Sequence, residues 1–388
     1  FFLGTGIWVA ISMIGVSAIG MMLFTSRPVG DAMATTIWGT SSSWTLTALP
    51  LFVWMGEILF RTKLSENLFK GLSPWMQKLP GGLIHVNVVG CALFAAISGS
   101  SAATVATVGK MSIPELRKRK YPEKILLGSL AGSGTLGLLI PPSIILIIYG
   151  VTVQESIAKL FIAGIIPGIM IALIFMSYVI IWSLINNKIM PKAYETFSFL
   201  DKIKKSKQLL PVILLILGVI GSIYTGVATA TEAASLGVVG ALILSYFQKS
   251  LSLKTFKESL LGATKTSCMI AFILAGSTFL SLAMGFTGLP RNLAIWIEGM
   301  QLSPYLLIFV LMIFYIILGM FLDGISAVVL TMAIIEPMIR QAGFDMIWFG
   351  IFLVVVVEMA QITPPVGFNL FVLQGMANKD MGYIARSA

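Results

Sequence analysis

Long apolar runs separated by short polar segments dominate this chain. A run of about 20 mostly apolar residues is long enough to cross a bilayer as a helix, and eight runs meet that length approximately. The predicted crossings lie at about 1–24, 44–60, 125–150, 157–186, 208–227, 231–247, 258–285 and 346–375. The pattern therefore predicts an all-α polytopic membrane protein.

Two further apolar stretches, 83–109 and 304–338, are each interrupted near the middle by small polar residues. The interruptions read Ser98-Gly99-Ser100-Ser101 and Asp323-Gly324-Ile325-Ser326. Non-helical backbone at membrane depth is tolerated only where it is buried in protein or lines a cavity. We therefore expect each stretch to form a re-entrant helical hairpin, with its tip enclosed by the protein.

Composition agrees with a membrane protein. Hydrophobic residues make up 57% of the chain and charged residues 11%, whereas soluble domains carry about 25% charged residues. Cys91 and Cys268 lie in apolar runs, so we expect both to pack in the membrane core rather than to form a disulfide, zinc site or redox pair. The residues that give the net charge of +10 lie in loops between apolar runs. Their distribution indicates how the chain is oriented across the membrane, and we expect no nucleic-acid partner.

The basic residues predict which side of the membrane each loop occupies. Lys and Arg concentrate in loops 61–80, 110–124, 186–207 and 248–257, which are therefore expected in the cytoplasm. The opposite side carries only Arg27, Lys159, Arg291 and Arg340. Hairpin 83–109 then begins and ends at the cytoplasmic face, whereas hairpin 304–338 begins and ends at the outer face.

Three short motifs recur in the same order at nearly constant spacing. Leu64-x-x-Asn67-Leu68 recurs as Leu289-x-x-Asn292-Leu293, and Gly99-x-Ser101-Ala102 recurs as Gly324-x-Ser326-Ala327, each 225 residues later. The pair Pro141-Pro142 recurs 223 residues later as Pro364-Pro365. With the charge pattern, this predicts two inverted-topology repeats, each holding a hairpin and a helix broken at Pro-Pro. Such repeats are typical of secondary transporters.

Nucleotide-binding motifs do not account for the glycines. Gly132, Gly134 and Gly137 satisfy G-x-G-x-x-G, but an apolar membrane helix precedes them and Pro141-Pro142 follows, so the strand and helix of a dinucleotide site are missing. The chain also lacks G-x-x-x-x-G-K-[ST], because Met111 follows Gly109-Lys110. Transport would therefore be driven by an ion gradient or by another subunit.

Unwound membrane helices offer the oxygen ligands that a sodium ion requires. Freed backbone carbonyls and Ser or Thr hydroxyls can replace its water, and half-helix N-termini attract anionic substrates. The alternative is that small residues only permit close helix packing, which we prefer for Gly164 and Gly168. For the two hairpin tips and the two Pro-Pro breaks, we expect ion and substrate coordination.

Charged residues inside apolar runs are further candidates, because such charges are costly in a membrane. Glu57 and Glu232 lie near the ends of predicted crossings, where they can reach water, and Glu336 lies in the second hairpin. Asp323 at a hairpin tip and Glu358 before the second break are expected either to stabilise the structure or to form part of the site that couples ion and substrate transport. Coupling to protons through one of these carboxylates stays an alternative. His85 and Trp residues such as Trp8, Trp44, Trp54 and Trp75 are interpreted as interface residues.

Three segments resemble the large membrane subunit of TRAP transporters, the DctM or SiaM family of tripartite ATP-independent periplasmic transporters. They are Phe94 to Thr104, Gly134 to Ser143 and Glu358 to Gly367, and the resemblance covers essentially the whole chain. The resemblance implies a sodium-coupled elevator in the bacterial inner membrane. It implies two partners, a small four-helix (Q-type) membrane subunit, fused or separate, and a periplasmic (P-type) binding protein. Carboxylate-bearing substrates are implied, with sialic acid weakly preferred over C4-dicarboxylates.

The resemblance also implies a division of the chain and a set of site residues. Scaffold helices would occupy 1–80 and 151–285, and transport-domain repeats would occupy 81–150 and 286–388. The residues expected at the first sodium site are Ser98, Gly99, Ser101, Thr104, Gly134 and Gly137. Those expected at the second are Gly324, Ser326, Thr363, Pro364 and Gly367. Those expected around the substrate are Ser100, Ser101, Thr135, Pro141, Pro142, Asp323, Ser326 and Pro365. No cofactor beyond Na⁺ is implied.

Three other functions compete with this interpretation. A stand-alone sodium- or proton-coupled carboxylate symporter would not need a binding protein, and a passive channel would not need two opposed hairpins. An intramembrane enzyme is disfavoured, because no His/Glu zinc pair, Ser-Lys dyad or Asp pair appears on the predicted crossings. The chain starts at Phe1 inside an apolar stretch, and the family continues with one more helix, so we expect both ends to be incomplete.

Overall fold

The computed structural model describes residues 7–62, 64–191, 197–207, 209–288, 292 and 303–388. Regular structure in these residues is helical, with no strand among them, so the all-α prediction is confirmed. Residues 1–6 of the first predicted crossing lie outside the described residues. The same holds for Leu289 and Leu293 of the repeat and for Arg291 of the charge pattern.

The first part of the chain forms nine helices within its described residues. They are α1 (Val9–Phe24), α2 (Val29–Ser41), α3 (Ala48–Phe60), α4 (Leu64–Met76), α5 (Ile84–Ser98), α6 (Ser101–Lys118), α7 (Glu123–Gly134), α8 (Leu136–Leu139) and α9 (Ile144–Val153). A 3-10 turn, Trp44–Thr47, leads into α3. Helices α5 and α6 are the arms of the first hairpin, and α7, α8 and α9 form the first broken helix.

The remaining described residues continue the bundle. Its helices are α10 (Ile157–Ile185), α11 (Phe199–Ser206), α12 (Leu210–Tyr224), α13 (Ala230–Phe247), α14 (Leu253–Thr287), α15 (Pro304–Gly319), α16 (Gly324–Gln341), α17 (Met346–Gln361), α18 (Phe368–Ala377) and α19 (Met381–Ala385). Helices α15 and α16 are the arms of the second hairpin, and α17 and α18 flank the second break.

Length and composition support several membrane crossings. Among the described residues, five helical segments are long and apolar enough to cross a membrane, and up to seven if each of two bent pairs counts as one crossing. The segment α7–α9 is buried on nearly all sides, whereas α10 exposes apolar side chains such as Ile166 and Leu173 along its length. No helix among the described residues covers that face of α10, as expected for a surface that contacts lipid.

The sequence predictions missed or shortened several helices. Helix α2 lies where an outer loop was predicted, because its Asp and Thr residues lower the hydrophobicity of the segment below that of a membrane crossing. Its Thr40 Oγ1 donates a hydrogen bond to Thr278 Oγ1 of α14 at 2.9 Å. The basic loops contain two short helices, α4 and α11, joined by Trp75 Nε1 donating to Ser206 Oγ at 2.7 Å. Helix α6 continues past residue 109 to Lys118, and α14 begins at Leu253 rather than 258.

Three of the interface and core predictions need correction. His85 is fully buried, and its Nε2 lies 2.8 Å from the carbonyl oxygen of Pro80, so it is an interior residue rather than an interface residue. Cys91 is buried as predicted, but Cys268 is exposed at the protein surface. Trp8 and Trp44 are 73% and 77% exposed, as interface anchors would be. Trp54 instead donates to Ser259 Oγ at 3.3 Å.

The bases of the two hairpins contact opposite ends of α7–α9. Arg117, near the end of α6, pairs with Glu123 at the start of α7 and donates to the carbonyl oxygen of Ala377 at 2.7 Å. Arg340, near the end of α16, donates to the carbonyl oxygen of Val153 at 3.0 Å. The two hairpins therefore approach the centre of the bundle from opposite ends of this segment.

Candidate functional site

The first hairpin turns at Gly99, between α5 and α6. Gly99 has φ +58, a left-handed conformation that glycine adopts without steric cost, and Ser100 follows as the N-cap of α6. Thr104 Oγ1 donates to the carbonyl oxygen of Ser100 at 2.8 Å and lies 2.9 Å from Ser98 Oγ. This tip therefore concentrates two hydroxyls and a backbone carbonyl within hydrogen-bonding distance of one another.

The first break lies directly against this tip. A Cβ atom at Gly137 would lie 2.6 Å from both the carbonyl oxygen of Ser100 and the Cα of Ser101, so only glycine permits this approach. The amide of Ile144 donates to the carbonyl oxygen of Gly99 at 3.4 Å. At Gly134, a Cβ would overlap the side chain of Val105 of α6. The six residues expected at the first sodium site thus belong to two segments in mutual contact.

The Pro-Pro segment of the first break is buried. Pro141 and Pro142 have little exposure, and Pro141 packs near Gly164 of α10. The Pro141-Pro142 and Pro364-Pro365 peptide bonds are both cis. Thr135 Oγ1 donates to the carbonyl oxygen of Gly132 at 2.6 Å, within its own helix. The Pro-Pro segment of the first break is therefore enclosed by the protein.

The second hairpin turns between Gly319 and Gly324. Asp323 is the N-cap of α16, and its Oδ2 accepts a hydrogen bond from the amide of Ser326 at 3.1 Å. The amide of Gly367, at the start of α18, donates to the carbonyl oxygen of Met320 at 3.4 Å. The second break is therefore attached to the second tip, as the first break is to the first.

The second break is more exposed than the first. Pro364 and Pro365 lie on the exposed surface of the chain, and Thr363 Oγ1 donates to the carbonyl oxygen of Met359 at 2.7 Å. Ser326, the third residue of α16, is buried. Of the residues expected at the second sodium site, Gly367 thus adjoins the tip, whereas Thr363 is half-buried and Pro364 is exposed.

Gln361, the last residue of α17, joins the two hairpins. It is 2% exposed, and its Oε1 accepts a hydrogen bond from Ser101 Oγ at 3.0 Å. Its Nε2 lies 2.7 Å from the position that a Cβ on Gly324 would occupy. One side chain thus contacts the first residue of α6 and the first residue of α16.

The two tips line one cavity of about 470 Å³. Helices α6 and α16 both begin at this cavity, so the positive ends of two helix dipoles adjoin it. The predicted site residues that line it are Ser98, Gly99, Ser100, Ser101, Asp323 and Gly324. The other predicted substrate residues, Thr135, Pro141, Pro142, Ser326 and Pro365, do not line it.

Five carboxylates that the sequence singled out have different environments. Glu57 pairs with Arg61 and reaches the edge of the cavity. Glu232 forms a capping box with Thr229, and Glu336 pairs with Arg340 at 3.0 Å. Asp323 lines the cavity. The fifth, Glu358, is 4% exposed, and neither of its carboxylate oxygens has a hydrogen-bond partner among the described residues.

The arrangement suits a small cation bound by neutral oxygens and an anion bound beside it. Hydroxyl and carbonyl oxygens surround the tips, whereas the described residues hold no cluster of three or more His, Cys, Asp or Glu suited to a transition metal. The N-terminus of α6, whose cap is the neutral Ser100, favours a negatively charged ligand, whereas the N-terminus of α16 is capped by the Asp323 carboxylate. The tips therefore combine neutral oxygen atoms with one helix N-terminus that has no acidic cap.

Sequence reasoning missed three residues near this site. Gln361 lies inside a segment already singled out, but nothing in its spacing indicated a partner 260 residues away. Lys265 lies within the predicted crossing 258–285 and was not counted among the membrane charges. Asn369 is fully buried, with neither side-chain polar atom hydrogen-bonded to a described residue. A search for every polar residue inside apolar runs would have found the last two.

A bundle of membrane-length helices, in which the tips of two interrupted hairpins line one cavity, is typical of a polytopic membrane transporter. The family model described as "Tripartite ATP-independent periplasmic transporter, DctM component" matches residues 1–387. The chain therefore belongs to this family, as a large membrane subunit of a TRAP transporter.

Relatives and a solved structure agree with this assignment. The C4-dicarboxylate TRAP transporter large permease protein DctM of Pseudomonas aeruginosa is 33% identical over 372 residues, which cover 96% of this chain and 86% of that protein. The sialic acid TRAP transporter large permease protein SiaM of Vibrio cholerae is 30% identical, covering 95% and 86%. The crystal structure of the Alcanivorax borkumensis YdaH transporter matches with a TM-score of 0.67 at 12% identity, covering 98% of this chain and 92% of that chain. This last likeness concerns the fold alone.

Proposed function

We propose that this chain is the sodium-coupled permease subunit of a TRAP transporter, which carries a small carboxylate-bearing solute into the cell. The observation that carries the proposal is the junction at Gln361, where both hairpin tips meet beside one cavity. In a transporter built on broken helices, ion and substrate sites lie near the bilayer midplane between the repeats. The hydroxyl and carbonyl oxygens at the junction, and its contact with both hairpin tips, support such a site there.

The proposed inverted topology is supported by the contacts at the hairpin bases. Arg117 lies beside the start of α7 and the end of α18, whereas Arg340 lies beside the end of α9. Tyr149 of α9 donates its hydroxyl to the carbonyl oxygen of Met346 at 2.7 Å, so the end of α9 adjoins the start of α17. The two broken helices thus run antiparallel, as inversion requires.

The proposed sodium sites are one per repeat. In the first, Ser98, Gly99, Ser101 and Thr104 would coordinate Na⁺ together with carbonyls of the break from Gly134 to Gly137. In the second, Gly324 and Ser326 would do so together with Thr363, Pro364 and Gly367. Neutral oxygens suit Na⁺, because they replace its water without binding a divalent metal more tightly. Contact between each tip and its own break supports both assignments.

The proposed substrate lies in the cavity between the tips, where the N-terminus of α6 favours its anionic group. Ser100 and Ser101 would contact its anionic group directly, and Asp323 would face a part of the solute that carries no negative charge. The names of the relatives point to organic acids, among them a C4-dicarboxylate, sialic acid and 2,3-diketo-L-gulonate. We therefore propose an organic acid as the substrate and test these compounds side by side.

An elevator movement is proposed for the transport step. Segments 81–150 and 286–388, which hold the hairpins and breaks, would move against segments 1–80 and 151–285. Each net positive charge carried inward gains about 2.3 kcal/mol per 100 mV of membrane potential. Two sodium ions with one monoanion would therefore use the potential, and two with a dianion would not.

The remaining proposals concern surroundings and partners. Family membership supports a location in a bacterial inner membrane, and the concentration of basic residues in one set of loops supports a cytoplasmic position for those loops. A small Q-type membrane subunit would pack against the permease, and a P-type periplasmic protein would deliver the substrate. This arrangement rests on family membership and on the names of the relatives.

The test is uptake into proteoliposomes that contain this chain and its small partner. Labelled sialic acid, succinate and 2,3-diketogulonate are compared with and without an inward sodium gradient and with and without the cognate binding protein. Accumulation of one compound that requires both conditions is the expected result. Sodium-driven uptake without the binding protein would identify a stand-alone symporter. Uptake that a proton gradient alone drives would replace Na⁺ as the coupling ion, and equilibration without accumulation would indicate a channel.

The sodium assignments have their own test. Ser101→Ala and Ser326→Ala each remove one proposed ligand, so the sodium concentration for half-maximal uptake should rise about fivefold, the equivalent of ~1 kcal/mol for one hydrogen bond or ligand. Ser177→Ala, at an exposed position on α10, is the control. Unchanged sodium dependence in both site variants, with normal amounts of folded protein, removes these residues from the sites.

A further inference from the structure

A second chamber of about 790 Å³ lies beside the central cavity, on the other side of the second hairpin tip. Its walls come from α1, α14 and α16, and most of the side chains are apolar, including Trp8, Phe272 and Ile273. Its polar and ionisable side chains are Lys265, Cys268, Asp323 and Ser326. The described residues of the central cavity do not include Lys265 or Ser326.

The two spaces share two residues. Met269 of α14 and Asp323 at the tip line both the central cavity and this side chamber. Met269 is 50% exposed, and an unbranched thioether side chain adopts many rotamers at low cost. The flexible side chain of Met269 and the half-buried carboxylate of Asp323 therefore form part of the boundary between the two spaces.

Lys265 is a basic residue that lines this chamber. Its side chain is exposed, and within the described part of the chain it forms no ion pair. It lies two turns beyond Lys257 on α14, inside the stretch 258–285 that composition assigns to the membrane. Membrane-depth cations are costly and face cavities or partners. Apolar walls also strengthen the field of a charge, because they keep the local dielectric low.

We propose that the side chamber is a second binding site for the transported anion, in which the Lys265 ammonium holds a carboxylate group. The inference rests on the proposed function and adds a second binding site to the path of the solute. The solute passes Met269 as it moves from the site at the tips through the side chamber to the cytoplasmic side. Asp323 repels the carboxylate at the tip end of the chamber and thereby directs it toward Lys265. The chemical class of ligand is a small organic carboxylate.

The competing explanation is that Lys265 only extends its ammonium toward water or lipid headgroups, as long basic side chains near helix ends do. That role requires a positive charge at the membrane surface but no binding of a soluble carboxylate. The two explanations differ in whether a free carboxylate changes the reactivity of groups inside the chamber.

Cys268 provides a reporter in the same chamber. It is exposed, whereas Cys91, the only other cysteine in the sequence, is fully buried. Purified protein is treated with N-ethylmaleimide, with an anionic sulfonatoethyl methanethiosulfonate and with a cationic trimethylammonioethyl methanethiosulfonate. Cys268→Ser identifies background labelling. The rate ratio of anionic to cationic reagent reports the local potential, and it is measured in Lys265→Gln and in the control Lys257→Gln.

We expect Lys265→Gln to lower this rate ratio at least fivefold and Lys257→Gln to lower it by less than twofold. Succinate or N-acetylneuraminate should slow labelling at least threefold in the unmodified protein, whereas succinamide at equal ionic strength should not. This protection should disappear in Lys265→Gln and return in Lys265→Arg. Equal ratios in the two Gln variants, an absence of protection by both acids, or no reaction of Cys268 even with N-ethylmaleimide would overturn the proposal.

These measurements need no sodium gradient, binding protein or transport. If acids protect Cys268 but the uptake experiment fails, the anion site in the side chamber is retained and the proposed sodium-coupled transport is contradicted. If uptake depends on sodium as proposed but the acids do not protect Cys268 from labelling, the proposed function is retained and the anion site in the side chamber is ruled out. In uptake assays, Lys265→Gln should raise the half-saturating solute concentration while its half-saturating sodium concentration stays within twofold.

Discussion

Ser101 and Gln361 lie 260 residues apart, yet the Ser101 hydroxyl donates a hydrogen bond to Gln361 Oε1 at 3.0 Å. Ser101 begins the second arm of the first hairpin, and Gln361 ends the helix before the second break. The other polar atom of the same amide lies against Gly324, the first residue of α16. Movement of one tip therefore changes the contacts of the other, because the buried Gln361 side chain touches both.

Disrupting this junction should uncouple the tips. Gln361→Ala removes the acceptor and opens a gap, and Ser101→Ala leaves a buried amide oxygen unsatisfied, at a cost of about 1–3 kcal/mol. We expect each variant to lower the thermal unfolding midpoint and the uptake rate. Because both variants break the same contact, the double variant should be less destabilised than the sum of the two. Strict additivity in a double-mutant cycle would mean that the hydrogen bond contributes nothing to stability.

Gly137→Ala should separate the first break from the first tip. The new methyl group would lie 2.6 Å from backbone atoms of Ser100 and Ser101, which cannot yield as a flexible side chain would. Overpacking of this kind typically costs about 1–3 kcal/mol, so we expect a lower thermal midpoint and loss of uptake. Gly218→Ala on α12 is the matched control, because no atom lies within 4 Å of its added carbon. Normal uptake in Gly137→Ala would show that the tip moves freely away from the break.

The opposed entry of the two hairpins can be tested by side-specific labelling. Single cysteines are placed at Lys118 and Gln341, the last residues of α6 and α16, in a Cys91→Ala, Cys268→Ser background. A membrane-impermeant maleimide should reach Gln341→Cys from outside intact cells and Lys118→Cys only in inside-out vesicles. Both should react after detergent treatment. Labelling of both from the same side would rule out the inverted repeat.

Glu358→Gln should preserve or increase stability. Glu358 is buried, and no described group donates a hydrogen bond to its carboxylate. Burial of an unpaired charge is costly, whereas glutamine has nearly the same shape without the charge. We expect an equal or higher thermal midpoint and uptake within twofold of the unmodified protein.

Glu336→Gln is the control for that measurement, since Glu336 forms a partly exposed pair with Arg340 that should contribute no more than about 1 kcal/mol. A Glu358→Gln protein that folds normally but no longer accumulates substrate would assign Glu358 to coupling instead of structure.

Local patterns located the hairpin tips closely. The interruption at Ser98 to Ser101 coincides with the end of α5 and the start of α6, and the interruption at Asp323 coincides with the cap of α16. Small polar residues inside an apolar run have a local effect, because they end one helix and cap the next. The short amphipathic helices α4 and α11 were missed because charged residues within the basic loops masked their periodicity.

The sequence by itself determined the membrane setting, the helical class, the two interrupted hairpins and the family, because apolar length, charge distribution and short motifs are properties of contiguous residues. Only the tertiary structure decided that Gln361 joins the tips, that Lys265 faces a side chamber and that His85 is interior. It also decided that Pro141 and Pro142 are buried while Pro364 and Pro365 are exposed. These are contacts between residues distant in sequence, and their partners depend on how helices rotate and pack against one another, which no local pattern encodes.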